Sequence, residues 1–183
     1  MRKVAIVGKA ATAAFAPFQD EGWEIWGMPW VGMPRASRLF DMHSQARMDE
    51  SPLGADAARW IAKLRDLYRG VPVYCEPTRM HAFETAVEYP LQAVMEFLPI
   101  PFLENTVAYQ IALALCEGVD VIGLYGVHLI ASGEYAFERP SVTYLVGLAQ
   151  GRGVKVEIAP GSPLFISDFN AGRYGQAGTR RFS

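Results

Sequence analysis

Of the three histidines in the chain, His43 and His128 each follow an apolar run of strand length. Asp41 stands two residues before His43, and alternation along a strand puts residues two apart on one face. A carboxylate and an imidazole so placed could serve as an orienting group and a proton carrier, or the histidine could simply hydrogen-bond a loop. Gly8-Lys9-Ala10-Ala11-Thr12 offers backbone N–H groups at a helix start, a glycine for close approach and a lysine beside them. That combination suits a phosphate. It is neither a full Walker loop nor Gly-x-Gly-x-x-Gly, and an ordinary strand-to-helix turn reads the same. Asn105 and Thr106 open an apolar helix, and Gly126 to Glu134 follows another strand-like run. In the charged and aromatic stretch Glu134 to Pro140, Tyr135 could stack on a base, and Arg139 could hold a phosphate or Glu138; a capped loop plugging the core reads equally well. No His-x-x-x-His or clustered Cys/His spacing occurs, so no metal site is expected. There is no Gly-x-Ser-x-Gly elbow and no recognisable cysteine nucleophile motif.

These candidates need a scaffold. Apolar runs of strand length alternate with stretches of helical period, which predicts an α/β domain with a mostly parallel sheet in three layers. Strands are expected at 3–7, 23–27, 38–43, 71–75, 121–125 and 155–158. The clearest amphipathic helix runs from Asp56 to Tyr68, with Trp60, Ile61, Leu64 and Leu67 on its apolar stripe. A short helix is expected at 12–18, limited by Pro17, and another at 91–97, within an otherwise irregular stretch from 76 to 101. Asn105 or Thr106 caps a helix that Gly118 closes, and Pro140 fits the first turn of a helix running to Gln150. The four tryptophans read mainly as core, and Met28 to Pro34 as an apolar loop that lids a pocket or forms a contact surface. In such sheets ligands bind at the carboxyl ends of the strands, where the candidates gather.

Composition excludes several classes. With 51% hydrophobic, 12% aromatic and 20% charged residues, the chain can build a sizeable core and does not resemble a disordered protein. A net charge of −2 gives no electrostatic case for nucleic acid or an anionic membrane. It still permits a phosphate ligand, because backbone N–H groups need no excess of Lys and Arg. No apolar run reaches the length of a membrane helix. Cys75 and Cys116 lie in apolar segments and read as buried thiols in a reducing compartment. The expectation is a cytoplasmic protein with one domain over 1–167 and a flexible tail at 168–183.

Several blocks in order resemble a group of small phage and prophage proteins of unassigned activity. They are the opening strand and its Gly turn, Trp23-Glu24-Ile25-Trp26-Gly27, Arg38 to His43, Tyr89-Pro90-Leu91, Asn105 to Tyr109, Ile122 to Val127, Glu134-Tyr135-Ala136 and Arg139-Pro140. The resemblance covers about residues 3 to 165. More distantly, the layout is similar to the Rossmann-like 6-hydroxymethylpterin diphosphokinases and small bacterial sialyltransferases. That resemblance implies that Gly8, Ala10 and Thr12 lie at nucleotide phosphates or ribose, and that Asn105 and Thr106 approach the nucleotide. The chain departs from the pattern in carrying Ala11-Thr12 where relatives carry Pro-Ser, and His128 where they usually carry Asp. The lost acid weakens the case for a bound Mg²⁺ ion.

Three functions follow as expectations. The first is a small transferase that holds a nucleotide or nucleotide-sugar, with His43 or His128 moving a proton and Tyr135 and Arg139 closing over the ligand. The second is a phage nucleotide-binding protein without turnover, of host-cytoplasmic location, that sequesters a signal. The third is a phage structural or assembly protein. A homo-oligomer is expected from the aromatic loop around Trp30.

Overall fold

The computed structural model describes residues 1–130 and 133–165; the side chains of residues 52, 53 and 133–136 are outside that description, as is the expected tail at 168–183. Seven strands form one sheet: β1 (Lys3–Val7), β2 (Trp23–Gly27), β3 (Arg38–Asp41), β4 (Val73–Cys75), β5 (Ala86–Glu88), β6 (Val121–Tyr125) and β7 (Lys155–Ile158). Their order is β5-β4-β3-β2-β1-β6-β7, and every neighbouring pair is parallel. The chain therefore builds outward from β1 to β5, then crosses back to place β6 on the other side of β1. That reversal opens a crevice at the carboxyl ends of β1 and β6.

β1 explains the layering. Its residues alternate between two cores, with Val4 and Ile6 in one and Ala5 and Val7 in the other. On the first face, α4 (Thr106–Cys116) and α5 (Gly133–Gly151) supply Ile111, Ala112, Leu115, Leu145, Val146 and Ala149. On the second, Trp23, Ile25, Leu39, Tyr68 and Tyr125 pack together. Ile6 and Ile25 have no exposed surface, and burial of this kind contributes about 1.5–3 kcal/mol per side chain. The molecule is a Rossmann-like α/β domain.

Several elements differ from the sequence expectation. β3 ends at Asp41, leaving His43 just beyond it, and a short helix α1 (Gln45–Glu50) follows because the Ser44 hydroxyl accepts from the Arg47 N–H. The amphipathic helix α2 spans Pro52–Leu64, four residues earlier than its apolar stripe suggested. The irregular stretch contains a 3₁₀ turn, Pro77–Ala82, and the short edge strand β5, besides the expected α3 (Leu91–Phe97). α5 starts at Gly133, so Pro140 lies inside it rather than in its first turn. Proline removes one helical N–H donor. Nearby hydroxyls supply others: Ser141 Oγ donates to the Glu138 carbonyl at 2.7 Å and Thr143 Oγ1 to that of Pro140 at 3.0 Å. Among the described residues no helix is long and apolar enough to cross a membrane.

Candidate functional site

A cleft of about 1210 Å³ runs along the carboxyl ends of the strands. From β6 across β1 and β2 to β3, its floor carries Gly126 and His128, then Gly8, Lys9 and Ala10, then Met28 and Trp30, then His43. Asn105, Thr106 and Val107 at the start of α4 form one wall, and Asp56 and Trp60 of α2 another. Neighbouring strands lie about 4.8 Å apart, so the ends of β6 and β3 are separated by about 14 Å. The two histidines therefore serve opposite ends of the cleft.

At the β1/β6 end the two turns abut. An added Cβ on Gly126, whose φ is +68°, would stand 2.6 Å from the Gly8 carbonyl oxygen, and one on Gly8 would collide with the Gly126 carbonyl. The glycines are needed for backbone against backbone, not only for a ligand. Gly8 N–H donates to the Tyr125 carbonyl at 2.7 Å and Ala10 N–H to that of Gly126 at 3.0 Å. These two donors, expected to face a phosphate, are thus spent within the chain. Thr12 is 7% exposed; its hydroxyl accepts from the Gly126 N–H at 3.0 Å and shares a 2.9 Å hydrogen bond with His128 Nε2. Thr12 stands behind the cleft surface and clamps its floor.

Helix-start donors are found instead at α4. Asn105 is the cap: its Oδ1 accepts from the Ala108 N–H at 2.9 Å, and its Nδ2 donates to the Glu138 carbonyl of α5 at 3.1 Å. The N–H groups of Thr106 and Val107, in the first turn of an eleven-residue helix, have no intrahelical acceptor, and both residues line the cleft. They sit at the positive end of the helix dipole. Lys9 lies on the floor of the same cleft, its Nζ 5.6 Å from the Trp30 ring centre. Desolvation in the cleft pulls its ammonium below the ordinary lysine range, with Asp56 acting in the opposite sense. Beneath the floor, fully buried Gln110 donates from Nε2 to the Gly27 carbonyl at the end of β2, 3.0 Å away.

At the β3 end, Asp41 and His43 pair as their spacing suggested: His43 Nδ1 lies 2.8 Å from Asp41 Oδ1. An ionised carboxylate only accepts, so in the neutral imidazole it is Nδ1 that carries the proton and Nε2 that has the lone pair. His43 lines the cleft with 27% of its side chain exposed, whereas Asp41 behind it has none. The other carboxylate oxygen, Oδ2, meets Arg79 at 3.2 Å. The Trp30 ring packs against His43 with centres 5.2 Å apart.

Of the remaining expected site residues, Arg139 is directed elsewhere, donating from Nε to the Leu164 carbonyl at 2.7 Å and from a terminal nitrogen to that of Pro163 at 3.1 Å. The side chains of Glu134 and Tyr135 lie outside the described residues. Arg79, Gln110, Asp56 and the cleft-facing role of Trp60 were not singled out from sequence. Trp60 belongs to an apolar stripe yet is 46% exposed, and that exposure is the mark of a cleft wall rather than a core. Among the described residues no group of three or more His, Cys, Asp or Glu is placed to hold a metal ion.

A parallel sheet with its crevice at the β1/β6 reversal defines a Rossmann-like class of architecture. Among solved structures, the chain is similar to the sialyltransferase CstII from Campylobacter jejuni in complex with the substrate analogue CMP-3FNeuAc. The TM-score is 0.56 at 13% identity, covering 100% of this chain and 90% of that one. The same enzyme with cytidine 5′-monophosphate gives 0.54 at 14% identity over 90% of this chain and 82% of that one. At such identities the likeness establishes the fold. No protein-family model matches the chain, and no curated protein matches it.

Proposed function

We propose that the chain binds a nucleotide-sugar in this cleft and transfers the glycosyl group to an acceptor hydroxyl. The observation that carries this reading is the joint placement of an unsatisfied helix start (Thr106 and Val107), a lysine and an oriented imidazole along one cleft. The donor phosphate sits against the N–H groups of Thr106 and Val107, with Lys9 across from them; a bound anion favours the charged lysine. His43 Nε2, which lines the same cleft, takes the acceptor's proton. The acceptor oxygen bonds the anomeric carbon, the bond from that carbon to the phosphate oxygen breaks, and its electron pair leaves with the nucleotide. Lys9 and the α4 start meet the charge that develops there. The cytidine nucleotides named for the structurally similar sialyltransferase make CMP and CMP-sugars the first ligands to try. Calorimetric titration with CMP, UMP and AMP, followed by incubation with a CMP-sugar and glycoside acceptors, tests the reading. Saturable binding and new glycoside are expected; absence of binding to any nucleotide or nucleotide-sugar defeats it.

A binding protein without turnover is the second reading. It is favoured by His128, whose Nε2 is engaged by Thr12 rather than left open, at a position where a carboxylate was expected from the resemblance. Stoichiometric binding with ligand unchanged after long incubation selects this reading over the first.

A further inference from the structure

We propose that Arg79 is a positioning residue for His43, acting through Asp41. Arg79 lies in the 3₁₀ turn Pro77–Ala82, 38 residues from Asp41. Its side chain is only 9% exposed and that of Asp41 not at all, so the carboxylate is cut off from the water that would otherwise solvate its charge. The guanidinium supplies the compensation. One terminal nitrogen meets Asp41 Oδ2 at 3.2 Å, and the other donates to Gln45 Oε1 of α1 at 2.8 Å. Gln45 is itself pinned, its backbone N–H donating to Thr78 Oγ1 at 3.0 Å. With Oδ2 held by Arg79, Asp41 has Oδ1 to offer the His43 ring. The carboxylate cannot turn away without abandoning its counter-charge.

A second observation separates this from a simple tether. Arg79 Nε is buried and has no hydrogen-bond partner. Buried donors are almost always satisfied, so the guanidinium is oriented for Asp41 and Gln45 at the expense of its own third donor. The neutral Arg79–Asp41 pair then directs an imidazole by its Nδ1–H and leaves Nε2 to the cleft. The arrangement has the logic of a buried acid that fixes a histidine tautomer, with an arginine fixing the acid. The two-armed, planar geometry is a property of guanidinium that an ammonium lacks.

The histidine tautomer reads this directly. In the ¹⁵N-labelled full chain, at a pH where the imidazoles are neutral, long-range ¹H–¹⁵N spectra are expected to show His43 with the Nδ1–H signature. In Arg79→Gln that signature is lost in favour of the Nε2–H form that free histidine prefers, with His128 unchanged in the same spectrum and the amide spectrum still that of a folded chain. Arg79→Lys keeps the charge but not the two arms, and gives a mixed pattern. A folded Arg79→Gln with the His43 signature intact overturns the proposal, as does a wild-type His43 in the Nε2–H form. Should Arg79→Gln fail to fold, Arg79→Lys decides, an unchanged signature there being the contrary result. The proposal concerns the His43 named in the transfer reading, yet its test uses the protein without ligand. Failure to bind nucleotide would defeat that reading and leave the tautomer result standing.

Discussion

Replacing Gly126 by alanine perturbs the place where the β1 and β6 turns meet, and its cost separates into two parts. The residue has φ +68°, and holding a side-chain-bearing residue in that region costs about 1–2 kcal/mol. In addition, the new Cβ would lie 2.6 Å from the Gly8 carbonyl oxygen and 2.9 Å from both Gly8 C and Ala13 Cβ. Two of these neighbours are backbone, so the turns must move apart, an overpacking cost of about 1–3 kcal/mol. The expected loss is about 2–5 kcal/mol, a large part of the ~5–15 kcal/mol typical of a domain. Gly118 supplies the control: its φ is +69°, but nothing lies within 4 Å of an added Cβ. Gly118→Ala should therefore lose only about 1–2 kcal/mol. Urea unfolding of the two variants at equal m-value measures the difference. Equal losses would refute the claim that backbone approach, and not φ alone, demands a glycine at the cleft floor.

Other perturbations follow from the same geometry. Tyr68→Phe removes a buried hydroxyl that donates to the Val31 carbonyl and accepts from the Met33 N–H; denaturant titration should show a loss of about 1–3 kcal/mol, and an undiminished stability would contradict those bonds. Asn105→Ala uncaps α4 and releases its tie to α5, which should cost about 1–2 kcal/mol and weaken nucleotide binding in calorimetry. Burial pushes the Cys75 thiol up to about 11 from its ordinary 9.0, and also raises the Tyr68, Tyr109 and Tyr125 hydroxyls. The native state thus keeps protons that the unfolded chain releases, so this stabilisation is complete below the ordinary thiol value of 9.0. It is lost as pH rises through 11. Melting temperature should fall steadily from pH 9 to 11, and a flat profile would contradict the burial of these groups.

Much of this architecture follows from local patterns. The continuous apolar run of β1 predicts a strand covered on both faces, and Val4, Ala5 and Ile6 are fully buried. The two-residue spacing of Asp41 and His43 predicts a shared face, and the pair forms even though the strand stops at Asp41. Other features depend on contacts that no local pattern encodes. Arg79 lies in a stretch without clear period and meets Asp41 only because β4 pairs with β3. Gln110 sits within an apolar helix and is needed only because α4 passes under the end of β2. Gly8 announces a close approach in the sequence, but what approaches it is the Gly126 carbonyl. Pro140 signals a helix start, yet the helix begins at Gly133 and runs through it to Gly151.

In the proposed function a nucleotide phosphate docks at the start of α4, in the cleft at the carboxyl ends of the strands. Titrating CMP into the ¹⁵N-labelled protein and following its amide spectrum tests this most directly. Saturable shifts are expected at Thr106, Val107, Lys9 and Gly126, with the amino ends of the strands around Arg2 and its partners Glu24 and Glu117 left unmoved. Shifts confined to those amino ends, or none at millimolar CMP, would contradict it.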